Sequence, residues 1–432
     1  MFMKKTGPFY SSTFMPASFL VLLTALLVLS CAQDAIFHNL SMELKPVTPI
    51  IKGTPTNLVV VRHNTHGFFV YVGNSNGNTI RSFDGTDFSG ITAPGGTCAG
   101  LAVGGAVGSE FLYALVHPNR EVRPSSVIRR YDPATESWSN MTNETGYLLQ
   151  AIHGAGGRIF AAGRRDPDSY VILRLGDDNA LQPLNITGTD QLTASYRLTG
   201  AAQRSGGNIY LATAGAGVIQ VNAAGTVVSP APVAGTEDLN IAGIIATGTS
   251  IVALSNSGRS GLIHYTTNGT AFEEIPRSHD NFTGGMSVWE EYDSSWRPAL
   301  LLLGIWNRGS SPNNGYIELR LDSSGNVLDP YLTSIPGDRD TQPSSVPNRS
   351  RYTASLRKHP VQAILQLPNL GTTALAKGQF NYQAEQLTYG LENWEPPIFA
   401  STSQQGLWSY RSRSGGYGWN AEDGRAFTQP DP

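Results

Sequence analysis

The side chains best suited to chemistry are few and scattered. His63 and His66 stand three apart in RHNTHG, a spacing open to metal ligation, but the segment leads into a turn and no further ligand is evident. Glu290, Glu291 and Asp293 cluster in WEEYDSSW, which reads as a solvated turn before the ALLLLG strand rather than a calcium site. HExxH, Walker and Cys-x-x-Cys patterns are absent from the sequence, so no catalytic residue, metal site or cofactor is assigned. Cys98, in PGGTCAGLAVGG, has neither a histidine nor a basic residue beside it to favour the thiolate. It reads as a small core residue. What remains is arginine: Arg120 and Arg123, Arg164 and Arg165, Arg259, and Arg308 beside Trp306, against the acids Glu121, Asp166 and Asp168. Guanidinium pairs bidentately with carboxylate or phosphate, and arginine and tryptophan are favoured at binding hot spots.

The elements that must hold these arginines recur along the chain. Short apolar runs appear as FFVYVGN, FLYALVH, RIFAAGR, NIYLATA, SIVALSN, ALLLLGI and PIFASTS, mostly ~40 to 50 residues apart, the period of a four-stranded propeller blade. Each run is preceded by another apolar strand and followed by an alternating one (TIRSF, VIRRYD, YVILRL, GVIQVN, LIHYTT, YIELRL, GLWSYR). A turn such as Asp84-Gly85, Asn268-Gly269 or Ser324-Gly325 then leads to a shorter fourth strand (FSGI, SWSNM, LQPLN, VVSPA, FEEIP, NVLDP, YGWNAE). The expectation is an all-β, seven-bladed β-propeller over residues 56–425, with a tail at 426–432. Closing the ring would remove the exposed edges of an open sheet. Insertions fall at about 332–352 and 368–396. Loops joining second to third strands share one face in such a ring, and every arginine named above as a binding candidate falls in one.

Composition agrees with strands and turns: 47 glycines and 26 prolines stand beside only 15% charged residues, too few for long amphipathic helices. The net charge of −3 offers no basic surface for nucleic acid. At the other end of the argument stands the N-terminus. Lys4 and Lys5 precede an apolar run from Phe19 to Leu29, then Ser30 and Cys31, the n-region, h-region and cleavage site of an export signal. The run is shorter than the ~20 residues needed to span a bilayer. Residues 1–30 are therefore expected to be a signal peptide, and 31–55, with Pro46, Pro49 and Pro55, an extended tether.

Several stretches resemble known families. VLSC resembles a relaxed bacterial lipobox, which implies diacylation of Cys31 and attachment to a membrane through that lipid. YDPATESW and GGRIFAAG resemble kelch repeats, and IHYTTNGTAF is similar to a degenerate Asp-box hairpin with Asn268 for Asp and Phe272 for Trp. GLWSYRSRSGGYGWNAE, with Trp408 and Trp419, is similar to the closing blade of β-propeller lipoproteins of treponemes and other spirochaetes. Sialidase-type propellers would show an Arg-Ile-Pro motif; Arg123-Pro124 and Arg297-Pro298 are the nearest dipeptides. The resemblance implies a lipid-anchored cell-envelope propeller, on the periplasmic face or outer surface. It would act as a noncatalytic binding or scaffolding module through Arg120, Arg164, Arg165, Arg259, Trp306 and Arg308, for an envelope or host protein or an anionic ligand. The alternative is a carbohydrate-active or lyase-type enzyme on the same ring.

Overall fold

The structure is a computed structural model that describes residues 55–63, 67–74, 80–83, 88–118, 126–142, 146–165, 169–186, 192–293, 295–306, 315–327, 360–366, 398–403, 406–413 and 416–422. Cys31, the signal segment, most of the tether, His66, Arg120, Arg123, Arg308 and both insertions lie outside them. All the strands belong to the unit Thr48–Pro432.

The architecture is all-β, a succession of antiparallel meanders. The first consists of β1 (Pro55–His63), β2 (Gly67–Asn74), β3 (Ile80–Phe83) and β4 (Phe88–Gly90). The second holds β5 (Thr97–Ala106), β6 (Ser109–His117), β7 (Val127–Asp132) and β8 (Ser137–Asn140), and a His63–Ser109 pairing joins it to the first as one eight-stranded sheet. Next come β9 (Leu148–Ala155), β10 (Arg158–Arg164), β11 (Tyr170–Leu175) and β12 (Leu181–Pro183), then a three-stranded sheet of β13 (Leu198–Gln203), β14 (Ile209–Thr213) and β15 (Val218–Val221). The chain continues through β16 (Ile241–Thr247), β17 (Ser250–Ser257), β18 (Ser260–Thr266) and β19 (Glu273–His279), followed by β20 (Asn281–Asp293), β21 (Ser295–Trp306) and β22 (Gly315–Arg320). The last sheet is β23 (Val361–Gln366), β24 (Ile398–Thr402), β25 (Gly406–Arg413) and β26 (Gly416–Ala421).

The second strand of each meander explains the apolar runs. In β14 Ile209 and Leu211 face the preceding sheet, while Tyr210 and Ala212 face the following one. β17 repeats this, with Ile251 and Ala253 turned one way and Val252 and Leu254 the other. A strand covered on both faces has no solvent side to alternate with, so its sequence is continuously apolar. The hydrophobic core is correspondingly a series of slabs, each shared by two consecutive sheets, as where Val252 and Leu254 meet Leu301 and Leu303. Each fully buried Leu or Ile contributes roughly 1.5–3 kcal/mol. β1 also packs against β23 and β24, so the first sheet meets the last.

Glycine lets the first strands of neighbouring sheets converge. A β-carbon at Gly154 in β9 would lie 1.8 Å from the carbonyl oxygen of Val103 in β5, a contact that only glycine permits.

Three local outcomes differ from the sequence reading. The expected fourth strand VVSPA shrinks to a single pairing, Val221 with Val227, and the described part of NVLDP makes one, Leu321 with Val327. Pro230 and Pro232 have no N–H to donate to a ladder. The acidic segment WEEYDSSW, expected as a turn, is mostly strand: the β20–β21 ladder continues through Glu290–Pro298 and Glu291–Arg297 to Asp293–Ser295. Trp289, Tyr292 and Trp296 are strong strand formers and carry the hairpin to its tip.

Candidate functional site

A cleft of about 810 Å³ opens where the turns between first and second strands of successive meanders meet. Its walls come from β1, from the hairpin between β5 and β6, from the hairpin between β9 and β10, and from the end of β13. The β9–β10 turn is Gly156-Gly157, with φ of 58° and 75°, the left-handed pair that a tight two-residue hairpin requires. That turn is fastened to its neighbour by the Gly105 N–H, which donates to the Gly157 carbonyl at 2.9 Å. Gln203 closes the far wall, its Nε2 donating to Gly207 O at 3.0 Å.

Two carboxylates and two guanidiniums give the cleft its chemistry. Glu110, at the start of β6, accepts the backbone N–H of Arg62 at 2.7 Å. Burial holds its carboxyl above the ordinary glutamate range, outweighing the Arg62 hydrogen bond and the Arg62 charge, which pull it down. Arg158, the first residue after the glycine turn, meets Asp177 of the β11–β12 turn at 2.6 Å. The Asp177 side chain is 89% exposed and that of Arg158 only 28%, so the pair contributes little to stability, ~0–1 kcal/mol, and serves mainly to aim the guanidinium.

The arginines singled out from sequence lie elsewhere. Arg164 ends β10 and donates its Nε to the Tyr170 hydroxyl at 2.7 Å, with its guanidinium 5.0 Å from the Tyr170 ring centre. Arg165 is exposed and its N–H closes the loop on Ser169 O at 3.1 Å. Arg259 is exposed between β17 and β18, and Trp306, 42% exposed, ends β21. Arg164 and Trp306 are thus the last residues of second strands, Arg165 and Arg259 follow second strands, and the cleft takes none of the four. In the β9–β12 sheet Arg164 and Arg165 occupy the end opposite Gly156 and Gly157.

One contact has the form of a nucleophile and its base: Ser255 Oγ and His264 Nε2 are 2.8 Å apart. Both residues are only 2% exposed, so no substrate carbonyl reaches the hydroxyl, and burial lowers the affinity of His264 for a proton. The pair belongs to the core. Cys98 is equally buried and its thiol is pushed up to about 11 by that burial. Asn268 behaves as a turn-builder, its Oδ1 accepting the Thr270 N–H at 2.9 Å, while Phe272 packs edge-on against Tyr210.

The fold has known counterparts. The chain superposes on a GH74 enzyme of Niastella koreensis with a TM-score of 0.53 at 11% identity, covering 88% of this chain and 55% of that one. The GH74 xyloglucanase of Xanthomonas campestris gives a TM-score of 0.51 at 14% identity, with 88% and 56% covered. The chain thus spans little more than half the length of either enzyme, and at this identity the likeness concerns the propeller-like fold. No protein-family model matches the chain, and no curated protein matches it in sequence.

Proposed function

We propose that this chain is a carbohydrate-active, seven-bladed β-propeller held at the cell envelope through a lipid on Cys31. The successive meanders, packed each on the next with β1 against β23 and β24, support the ring. The export segment ending in VLSC supports the anchor. The single observation behind the activity is Glu110, a carboxyl set in a polar cleft whose hold on a proton is strengthened by burial, the direction in which a proton donor is tuned. In hydrolysis a bond forms from water oxygen to the anomeric carbon as the glycosidic C–O bond breaks. Glu110 gives its proton to the departing sugar oxygen, and the attacking water gives up one of its own to bulk solvent. The fold shared with two GH74 enzymes adds weight to this chemistry.

The test is release of reducing ends from a panel of polysaccharides by the full chain in detergent. Activity that falls about 100-fold or more in Glu110→Gln supports the reading; activity unchanged in that variant, or none with any polysaccharide, defeats it.

A noncatalytic binding module is the second reading. It is favoured by the fact that both cleft carboxylates already have protein partners, the Arg62 N–H and Arg158. In that reading Arg164, Arg165, Arg259 and Trp306, with Arg120 and Arg308, form a basic rim for an envelope or host protein or an anionic ligand. Reversing the exposed Arg165 and Arg259 to Glu would then abolish capture and leave the thermal midpoint nearly unchanged.

A further inference from the structure

We propose that the cleft's ligand is an acidic sugar, whose carboxylate takes the place of Asp177 on Arg158. The inference rests on the carbohydrate reading of this cleft and narrows its substrate class.

The lining carries the argument. Among the described residues that form the cleft there is no aromatic ring; its polar character comes from Arg62, Arg158, Glu110, Asp177, Gln203 and glycine-rich backbone. Neutral sugars present flat C–H faces that are gripped by aromatic side chains, and this wall offers none. Guanidinium instead recognises carboxylate, bidentately and with charge-assisted hydrogen bonds.

Arg158 is poised for exchange. Asp177 holds it through a single N–O contact at 2.6 Å. That carboxylate is 89% exposed, whereas the guanidinium is largely covered. An exposed, single-point ion pair is weakly held, and a ligand carboxylate seated deeper in the cleft meets the same guanidinium with less water between them. Asp177 therefore keeps Arg158 oriented in the empty cleft and turns out to solvent when the ligand arrives. Charge does not oppose the exchange. Arg62 lies close enough to Glu110 for its positive charge to offset that of the carboxylate.

Isothermal titration of the full chain with tetragalacturonate and with cellotetraose tests this. The acidic tetramer should bind at least about tenfold more tightly than the neutral one, and Arg158→Met should weaken it by about tenfold or more. Asp177→Asn should tighten it severalfold, because the competing carboxylate is gone. Thermal midpoints of both variants near wild type keep a folding defect apart from a binding one. Equal affinity for the two tetramers, preference for the neutral one, or indifference to Arg158→Met or Asp177→Asn overturns the acidic-ligand inference while the carbohydrate reading stands. Binding of neither tetramer overturns the inference as well, and failure across the polysaccharide panel then removes the carbohydrate reading with it.

Discussion

Gly154 faces the carbonyl oxygen of Val103 so closely that a single added methyl would sit 1.8 Å from it. These two residues belong to β9 and β5, the first strands of adjacent meanders, so the contact sets how near the two strands stand beside the cleft. Gly154→Ala should lower stability by about 1–3 kcal/mol, as overpacking does, read as a lower urea midpoint with an unchanged slope. A variant as stable as wild type would mean that the strands separate freely at this point.

Acid should weaken the fold through buried histidine. Burial lowers His153 from 6.5 to about 4, and His264 shifts in the same direction. Between those values the unfolded chain binds a proton that the folded chain refuses. The contribution of His153 is therefore complete above pH 6.5 and lost as pH falls towards 4. Because the residue as a whole is half-buried, the loss is on the order of 1–3 kcal/mol. His153→Gln should flatten this limb of the stability profile, and an identical slope in wild type and variant would exclude His153 as its source.

Cys98 should behave as a buried hydrophobe. With its thiol raised to about 11 and donating to Gly100 O at 3.6 Å, it should resist a disulfide reagent at pH 8 in the folded chain and react promptly in denaturant. The measurement is cleanest in Cys31→Ser, where it is the one remaining cysteine. Rapid labelling of the native variant would show that the slab around Cys98 opens.

The same substitution addresses the anchor. Cys31→Ser should accumulate as an unprocessed precursor that takes up no labelled fatty acid. Normal maturation with acylation would show that another residue carries the lipid.

Much of the fold was legible because burial writes itself into sequence. VIRRYD, RIFAAGR, YVILRL and IAGIIAT coincide end to end with β7, β10, β11 and β16, since turns of glycine and aspartate mark their limits. Fourth strands were harder: VVSPA has strand-like valines, but Pro230 and the adjoining Pro232 deny it a ladder. WEEYDSSW misled in the other direction, its acids masking aromatic strand formers. The cleft was not legible at all. Arg62, Glu110 and Arg158 lie in three different repeats, and Asp177 is one residue of an ordinary turn. Each sits beside a hairpin, where a charged residue is unremarkable, and only the stacking of sheets brings them together.

Among the described residues each sheet is built from consecutive strands, and the first meets the last through packing of β1 on β23 and β24, with none of these strands lent from one sheet to the other. The order in which the repeats are strung is therefore separable from the way they stack. A circular permutant that joins the region after β26 to the region before β1, and opens the chain between β12 and β13, would keep every hydrogen-bonded ladder intact. Its start and finish would lie in the middle of the present sequence. Which junction between repeats is left open is then a matter of gene organisation more than of mechanics.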